Sequence, residues 1–317
     1  MSSEAYVGID VAKAELVVAS PTAHLLRVPN DPGGFKTLIT RLKPMSVAMV
    51  VMESTGCYGR EAATALIAAG FQVAIVQPGR VRHFAASLGI RAKTDPIDAQ
   101  VIARFAAATK PRPLMPTEPG VTRLRALVDR RDQIIEMRKQ EENHLETVTD
   151  PVVVKDLKAS IRRLEASEKA FTKRLAAAMS DDPELLRISE CLQQETGVGP
   201  QTAATLIAYL PELGTVNRQQ VAALAGLAPY DRASGTHDGK RAIYGGRKRI
   251  RKALYLAALA ASRWSPWLGD VYTALREKGK CAKVALIACA RKLLVRLNSL
   301  VSNARGNQTT LAAEVTP

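Results

Sequence analysis

Residues 6–19 read YVGIDVAKAELVVA, two apolar β-rich stretches, Tyr6–Ile9 and Leu16–Ala19, around a polar step. The pattern predicts a strand, a tight turn and a second strand, with Asp10 where the first strand ends. Pro29-Asn30-Asp31-Pro32-Gly33-Gly34 is a loop, and Phe35–Leu42 a short helix. Val47–Met52 is a continuous apolar run ending in Glu53, which suits a buried central strand. Arg60–Ala69 is helical and stops at Gly70; Phe71–Val76 is another buried strand, closed by Pro78-Gly79. Asp95–Ala108 is a helix with Pro96 in its first turn and Asp95 as N-cap. Strands alternating with helices make residues 1–115 an α/β domain.

Three prolines between Lys110 and Pro116 mark the end of that domain. The pattern then becomes helical. Residues 118–148 and 152–179 predict two long charged helices broken near Asp150-Pro151. In the second, Val154, Leu157, Ile161, Leu164, Phe171 and Leu175 recur at alternating three- and four-residue steps, with only Glu168 interrupting. Such a seam suits a coiled coil that pairs protomers, and equally an amphipathic hairpin packed on its own chain. Beyond Asp182 the chain is helical and basic, with broad apolar faces over Ala253–Ala261 and Val284–Val301. The expected organisation is therefore 1–115 α/β, 116–182 helical hairpin or coiled coil, 183–302 all-α, and 303–317 a flexible tail.

Charge changes the picture. Of 317 residues, 45 are Lys or Arg and 30 Asp or Glu, a formal net charge of +15. An excess of that size points to a polyanion, most simply nucleic acid. It is concentrated: residues 1–115 carry 13 basic and 8 acidic side chains, 116–186 carry 13 and 14, and 187–300 carry 18 and 7. Hydrophobic residues make up 47% of the chain, which excludes global disorder. The cysteines, Cys57, Cys191, Cys281 and Cys289, form no CxxC pair and no zinc-site spacing with the four histidines, so a reduced, cytoplasmic protein is expected. No apolar run reaches the ~18 residues of a membrane span. The opening MSSEAYVGID has no basic flank and is not expected to be a signal peptide.

Asp10 and Glu53 each follow an apolar β-type run, and ligands meet open α/β sheets at strand ends. Asp95 and Asp98 stand three apart at the start of a helix, so both lie toward one side. If that helix crosses the sheet, the four carboxylates converge. They cannot all stay ionised together without cations between them, and hard divalent ions, Mg²⁺ or Mn²⁺, are the natural partners. Two such ions about 4 Å apart would clamp the attacking and leaving oxygens of a phosphodiester. The plainer alternative makes Asp10 a turn residue, Glu53 a helix-entry residue, Asp95 an N-cap and Asp98 a first-turn residue favoured by the helix dipole.

The blocks YVGIDVAKAEL, VMESTGCYG and QPGRVRHFAASLGIRAKTDPIDAQVIARF closely resemble the RuvC-like domain of DEDD-type insertion-sequence transposases of the IS110 family, relatives of bridge-RNA-guided recombinases. The resemblance implies an RNase H-like fold for the first domain. It also implies a catalytic metal site made of Asp10, Glu53, Asp95 and Asp98, in the family's order. Cys57, inside the second block, has no evident chemical role and reads as a small packing residue.

In the basic third, CLQQETGVGPQTAATLIAYLPEL resembles a helix–hairpin–helix. Gly197 and Gly199 would let backbone approach a phosphate, and the helix bearing Thr202 would present its N-terminal N–H groups. The alternative is a helical hairpin whose glycine turn serves packing only. Further on, Arg247-Lys248-Arg249-Ile250-Arg251-Lys252 would put basic charge at a helix N-terminus, against the dipole, as if an outside anion were expected. A merely solvated basic face is the alternative. The stretch GLAPYDRASGTHDGKRAIYGGRKRIRKALYLAA strongly resembles the second domain of the same transposases. There the serine of the Ser-Gly step is the nucleophile that joins to DNA, and Ser234 is the matching residue. Arg232, Lys240, Arg241, Arg247, Lys248 and Arg249 would then stabilise phosphate charge. The resemblance further implies an active site assembled between protomers of a homodimer or homotetramer, and a guide RNA encoded by the element. The expected function is strand cleavage and exchange of a mobile DNA element through a phosphoserine link. The alternative is a metal-dependent, Holliday-junction-type endonuclease with no covalent intermediate.

Overall fold

The computed structural model describes residues 5–53, 58–90, 95–114, 118–230 and 242–314, apart from the side chains of 95, 96 and 307–314. The chain divides into two compact units, Met1–Pro116 and Thr117–Pro317.

The first unit is built on β1 (Ala5–Val11), β2 (Glu15–Ala19), β3 (His24–Pro29), β4 (Val47–Glu53) and β5 (Val73–Val76). They form one mixed sheet in the order β3-β2-β1-β4-β5. The first three strands are antiparallel neighbours, and β4 and β5 run parallel to β1. This is the expected RNase H-like arrangement. Alternation along the strands sends Val7, Ile9, Val50 and Met52 to one face, where they bury against Phe35, Leu38 and Leu42 of α1 (Pro32–Leu42) and Ala62, Ala63 and Leu66 of α2 (Arg60–Ala68). Asp31 caps α1, accepting from the Gly34 N–H at 2.8 Å. The opposite face, with Met49, Val51, Ala74 and Val76, packs on Val101, Ile102 and Phe105 of α4 (Asp95–Thr109).

Two elements differ from the sequence reading. The edge strand β3 covers residues to which the sequence reading gives no element; its alternation is weak because Leu25 and Leu26 are both half-buried. Pro78-Gly79 opens a helix, α3 (Pro78–Ser87), as well as ending a strand. Proline suits a first helical turn, which has no intrahelical partner for its N–H.

The second unit is mostly helical: α5 (Pro119–Thr147), α6 (Pro151–Ser180), α7 (Pro183–Gln193), α8 (Pro200–Tyr209), α9 (Arg218–Leu224), α10 (Lys248–Trp264), α11 (Pro266–Glu277) and α12 (Ala282–Glu314). A two-stranded ribbon, β6 (Pro229–Tyr230) and β7 (Ala242–Ile243), lies between α9 and α10. One apolar core joins these helices, and it includes Leu124 and Val128 of α5 and Leu175 and Met179 of α6. The long hairpin is thus rooted in the same core as α7–α12. The helix α12 continues to Glu314, past the point where the sequence reading begins a tail.

In the hairpin, Asp150 caps α6, accepting from the N–H groups of Val152 and Val153 at 2.9 and 3.1 Å. Within the α6 seam Leu157 and Leu175 are buried, and Val154, Ile161, Leu164 and Phe171 are half-buried. Glu168, which breaks the apolar spacing, meets two arginines from α5. Its Oε1 accepts from Arg131 Nη2 at 3.0 Å, and its Oε2 lies 3.4 Å from Arg138 Nε. Arg131 Nε also donates to the Thr172 hydroxyl at 3.0 Å.

Candidate active site and nucleic-acid interface

In the first unit, register sets two of the carboxylates on neighbouring strands. Strands β1 and β4 pair in parallel with Gly8 opposite Val51 and Ile9 opposite Met52. One step further along each strand stand Asp10 and Glu53. Opposed positions of a parallel ladder share a face, and adjacent strands lie about 4.8 Å apart. That face is the α4 face, as Gly8, two residues before Asp10, shows. A Cβ on Gly8 would sit 2.2 Å from the Ala99 carbonyl oxygen and 2.4 Å from the Ala103 nitrogen, so the helix backbone rests directly on this strand. Asp98 shares a helix face with Val101, Ile102 and Phe105, three, four and seven residues on, all buried against the sheet. Asp10, Glu53 and Asp98 therefore occupy the same side of the sheet, and all three are half-buried.

The donor set is carboxylate oxygen, which suits a hard divalent cation. Among the described residues, no three His, Cys, Asp or Glu side chains close into a cation-holding group. Asp95 opens α4, and its side chain lies outside the described residues. Two supports of this edge escaped the sequence reading. Gly8 is one; a lone glycine between Val7 and Ile9 was its only signal. The other is Asn30, whose Nδ2 donates to the Ala12 and Tyr58 carbonyls at 2.9 and 3.1 Å. It ties the turn after β1 to the segment entering α2.

In the second unit, the two glycines between α7 and α8 have different tasks. Gly197 (φ +91°) abuts α10: a Cβ there would lie 2.4 Å from the Ala257 carbonyl oxygen. Its missing side chain serves packing. Gly199 is the N-cap of α8, offers no capping side chain, and would meet nothing with an added Cβ. Thr202 follows in the first turn of α8, half-buried. Beside it runs an open groove of about 600 Å³, walled by α5, α8 and the first turns of α10, with Lys139, Thr202, Thr205, Lys248, Lys252 and Leu256 among its lining.

The basic run of α10 is only partly available to that groove. Arg247 makes a bidentate pair with Glu212 at 2.6 and 2.7 Å. Arg249 bonds Asp129 at 2.5 Å and lies 3.1 Å from Asp132, with its guanidinium 4.3 Å from the centre of the Tyr209 ring. Burial works against the Arg249 charge, but the bond to Asp129 together with the attraction of Tyr209, Asp132 and Asp129 more than offsets it, and the pKa is raised. The Tyr209 hydroxyl donates to Asp129. Burial first, and then this bond, push its pKa well above the usual tyrosine value. Arg251 Nη1 donates to the Gly245 carbonyl at 2.7 Å and also reaches the Gly226 carbonyl. Lys248 and Lys252 are exposed and make no hydrogen bond or ion pair among the described residues. Arg232, Ser234, Lys240 and Arg241 lie outside the described residues. No helix among the described residues is long and apolar enough to cross a membrane.

Comparison with known proteins agrees with both halves of this picture. Residues 7–152 match a family described as a DEDD-type IS110 transposase, and residues 189–273 match one described as "Transposase IS116/IS110/IS902 family". The chain is 29% identical over 311 residues to the pilin gene-inverting protein of Moraxella bovis, covering 92% of this chain and 94% of that one. The protein of the same name from Moraxella lacunata matches with the same identity and coverage. It is also 28% identical over 172 residues to an uncharacterized 43.6 kDa protein of insertion element IS110 from Streptomyces coelicolor, covering 53% of this chain and 41% of that one. The first match spans the sheet with its carboxylates and the second spans α8 to α10, in the family's order, and the chain is therefore a member of the IS110-family DEDD transposases, DNA-recombination enzymes that act by phosphoryl transfer.

Proposed function

We propose that this protein cleaves and exchanges DNA strands by serine-linked transesterification assisted by a carboxylate-held cation pair. The observation that carries the reading is the β1–β4 register, which sets Asp10 beside Glu53 on the face covered by α4 and Asp98. Asp10, Glu53, Asp95 and Asp98 would hold two Mg²⁺ or Mn²⁺ ions, which supply stabilisation for charge building on the phosphodiester oxygens. Ser234 is the nucleophile. Its Oγ–P bond forms as the P–O3′ bond breaks, and the hydroxyl proton ends on the departing 3′ oxygen. A 3′-hydroxyl from a second strand reverses the step, so bond energy is conserved and no external energy source is needed. Exchange of this kind, between two sites on one DNA molecule, can invert the segment between them, in keeping with the relatives named for pilin-gene inversion.

DNA backbone would run along the α8 N-terminus and the outward lysines of α10, Lys248 and Lys252, with Arg232, Lys240 and Arg241 beside the nucleophile. The α5–α6 hairpin, whose seam is packed within the chain, pairs protomers through its outer faces in a dimer or tetramer. An RNA encoded by the element selects the target, and the reaction takes place in the cytoplasm.

The test is incubation of the purified protein with element-end DNA, its flanking transcript and Mg²⁺. A covalent protein–DNA band is expected, absent in Ser234→Ala. Undiminished cutting by Ser234→Ala, with no adduct in the wild type, would instead establish a hydrolytic endonuclease.

A further inference from the structure

Aromatic residues are scarce in this chain, 4% of the total, yet two tyrosines stand in water on one short ribbon. In the β6–β7 pair Pro229 opposes Ile243 and Tyr230 opposes Ala242. Tyr244 directly follows β7, two residues beyond Ala242, and continuing the alternation of β7 by one residue would set Tyr230 and Tyr244 on the same side as diagonal neighbours. Diagonal Cβ atoms lie about 7–8 Å apart, within mutual reach of aromatic rings. Tyr230 is 47% exposed and Tyr244 73%. Neither hydroxyl bonds another described residue.

The ribbon that carries them has a fixed root. Gly226 (φ +68°) and Gly246 (φ +65°) cross so closely that a Cβ on Gly246 would lie 2.1 Å from the Gly226 nitrogen. Only glycines allow that crossing. The Arg247 N–H donates to the Leu224 carbonyl at 2.8 Å, and Arg251 bonds the Gly245 carbonyl from α10. Hence Tyr244 leaves the helical core in one set direction, four residues before Lys248, which bonds no other described residue.

We propose that Tyr230 and Tyr244 form a stacking platform for unpaired bases of a nucleic-acid strand whose backbone is held by Lys248 and Lys252. The class of partner rests on the recombination reading above. Three features favour a single strand over other partners. The rings are flat and exposed, the neighbouring free charges are cationic, and every unpaired base offers a π-face, whereas duplex bases have theirs covered. Strand exchange must pass through unpaired bases, so a platform on the ribbon whose intervening chain holds Ser234 would keep a melted strand from re-annealing.

Full-length protein, without added divalent cation, is titrated with single-stranded 20-mers of DNA and of RNA that carry 2-aminopurine, and with the matching duplex. Stacking quenches 2-aminopurine on binding of the wild type. Tyr230→Ala and Tyr244→Ala should each weaken single-strand binding about 5- to 150-fold, by the usual range for one base–aromatic stack. Tyr→Phe at either position should bind as wild type, and duplex binding should barely change. A loss confined to DNA or to RNA identifies which strand the platform holds. Wild-type single-strand affinity in the double alanine variant, equal losses for phenylalanine and alanine, or binding with no change in 2-aminopurine emission would each overturn the proposal. These outcomes are independent of the covalent-adduct test: strand binding without an adduct removes the serine mechanism and leaves the platform standing.

Discussion

The carboxylate edge of the sheet and the basic run of α10 are both dense in charge, but the fold treats them in opposite ways. At the edge, backbone register turns Asp10 and Glu53 to one face, carboxylate donors of the kind a hard divalent cation takes. In α10, the fold separates cations that sequence makes adjacent. Arg247, Arg249 and Arg251 turn inward to Glu212, to Asp129 and Asp132, and to backbone carbonyls, while Lys248 and Lys252 remain outside. The contrast shows how charge is put to use. Arginine's planar fork suits fixed, partly buried bonds, whereas lysine is a point charge on a mobile stem, suited to a phosphate that arrives from solvent.

The contrast can be broken from either side. The largest effect is expected at the edge: Asp10→Asn should lower strand-transfer activity by about a thousandfold, several kcal/mol of transition-state stabilisation. Gly8→Val should act through the fold. A side chain there drives into the α4 backbone, so a loss of about 3 kcal/mol is expected by denaturant unfolding, with activity falling in step. In α10 the two kinds of cation should separate cleanly. Arg249→Ala leaves Asp129 and Asp132 without their cation and should cost about 1–3 kcal/mol of stability. Lys252→Ala should leave stability within about 0.5 kcal/mol of the wild type but reduce the slope of log affinity against log salt by about one. Equal changes in salt slope for both variants would erase the distinction between inward arginines and outward lysines. The smallest effect concerns pH. Folding raises the Tyr209 pKa, so the folded state holds that proton more tightly than the unfolded chain does. Its stabilisation is complete below the unfolded value near 10 and declines as pH rises beyond it. Tyr209→Phe should flatten that alkaline decline in denaturant titrations.

Much of the first unit was legible because its strands are continuous apolar runs. Val47–Met52 can hardly be anything but a central strand, and Glu53 at its end is then an edge carboxylate. The helix carrying Asp98 was also read from the pattern; the KTDPIDAQ block added what periodicity could not, the grouping of the four carboxylates into one site. Gly8 was invisible as a support because a glycine in a strand has many explanations until its neighbour is known. The roles of the α10 arginines were illegible for a related reason. Their partners, Asp129, Asp132 and Glu212, lie 35 to 120 residues away in sequence, so a local charge count cannot tell a bonded guanidinium from an open one. Gly197 and Gly199 looked equivalent in GVGP, yet one touches α10 and the other meets nothing. The hairpin boundaries followed from Asp150-Pro151, a capping residue before a first-turn proline. Glu168 looked like a flaw in the seam until both arginines across from it were located.

That glutamate has a mechanical consequence. If α6 slid one heptad along α5, Glu168 would leave Arg131 and Arg138 behind, and Arg138 would keep only Glu142 of its own helix. Glu168 thus acts as a register pin, favouring the observed alignment of the two helices over those one heptad away.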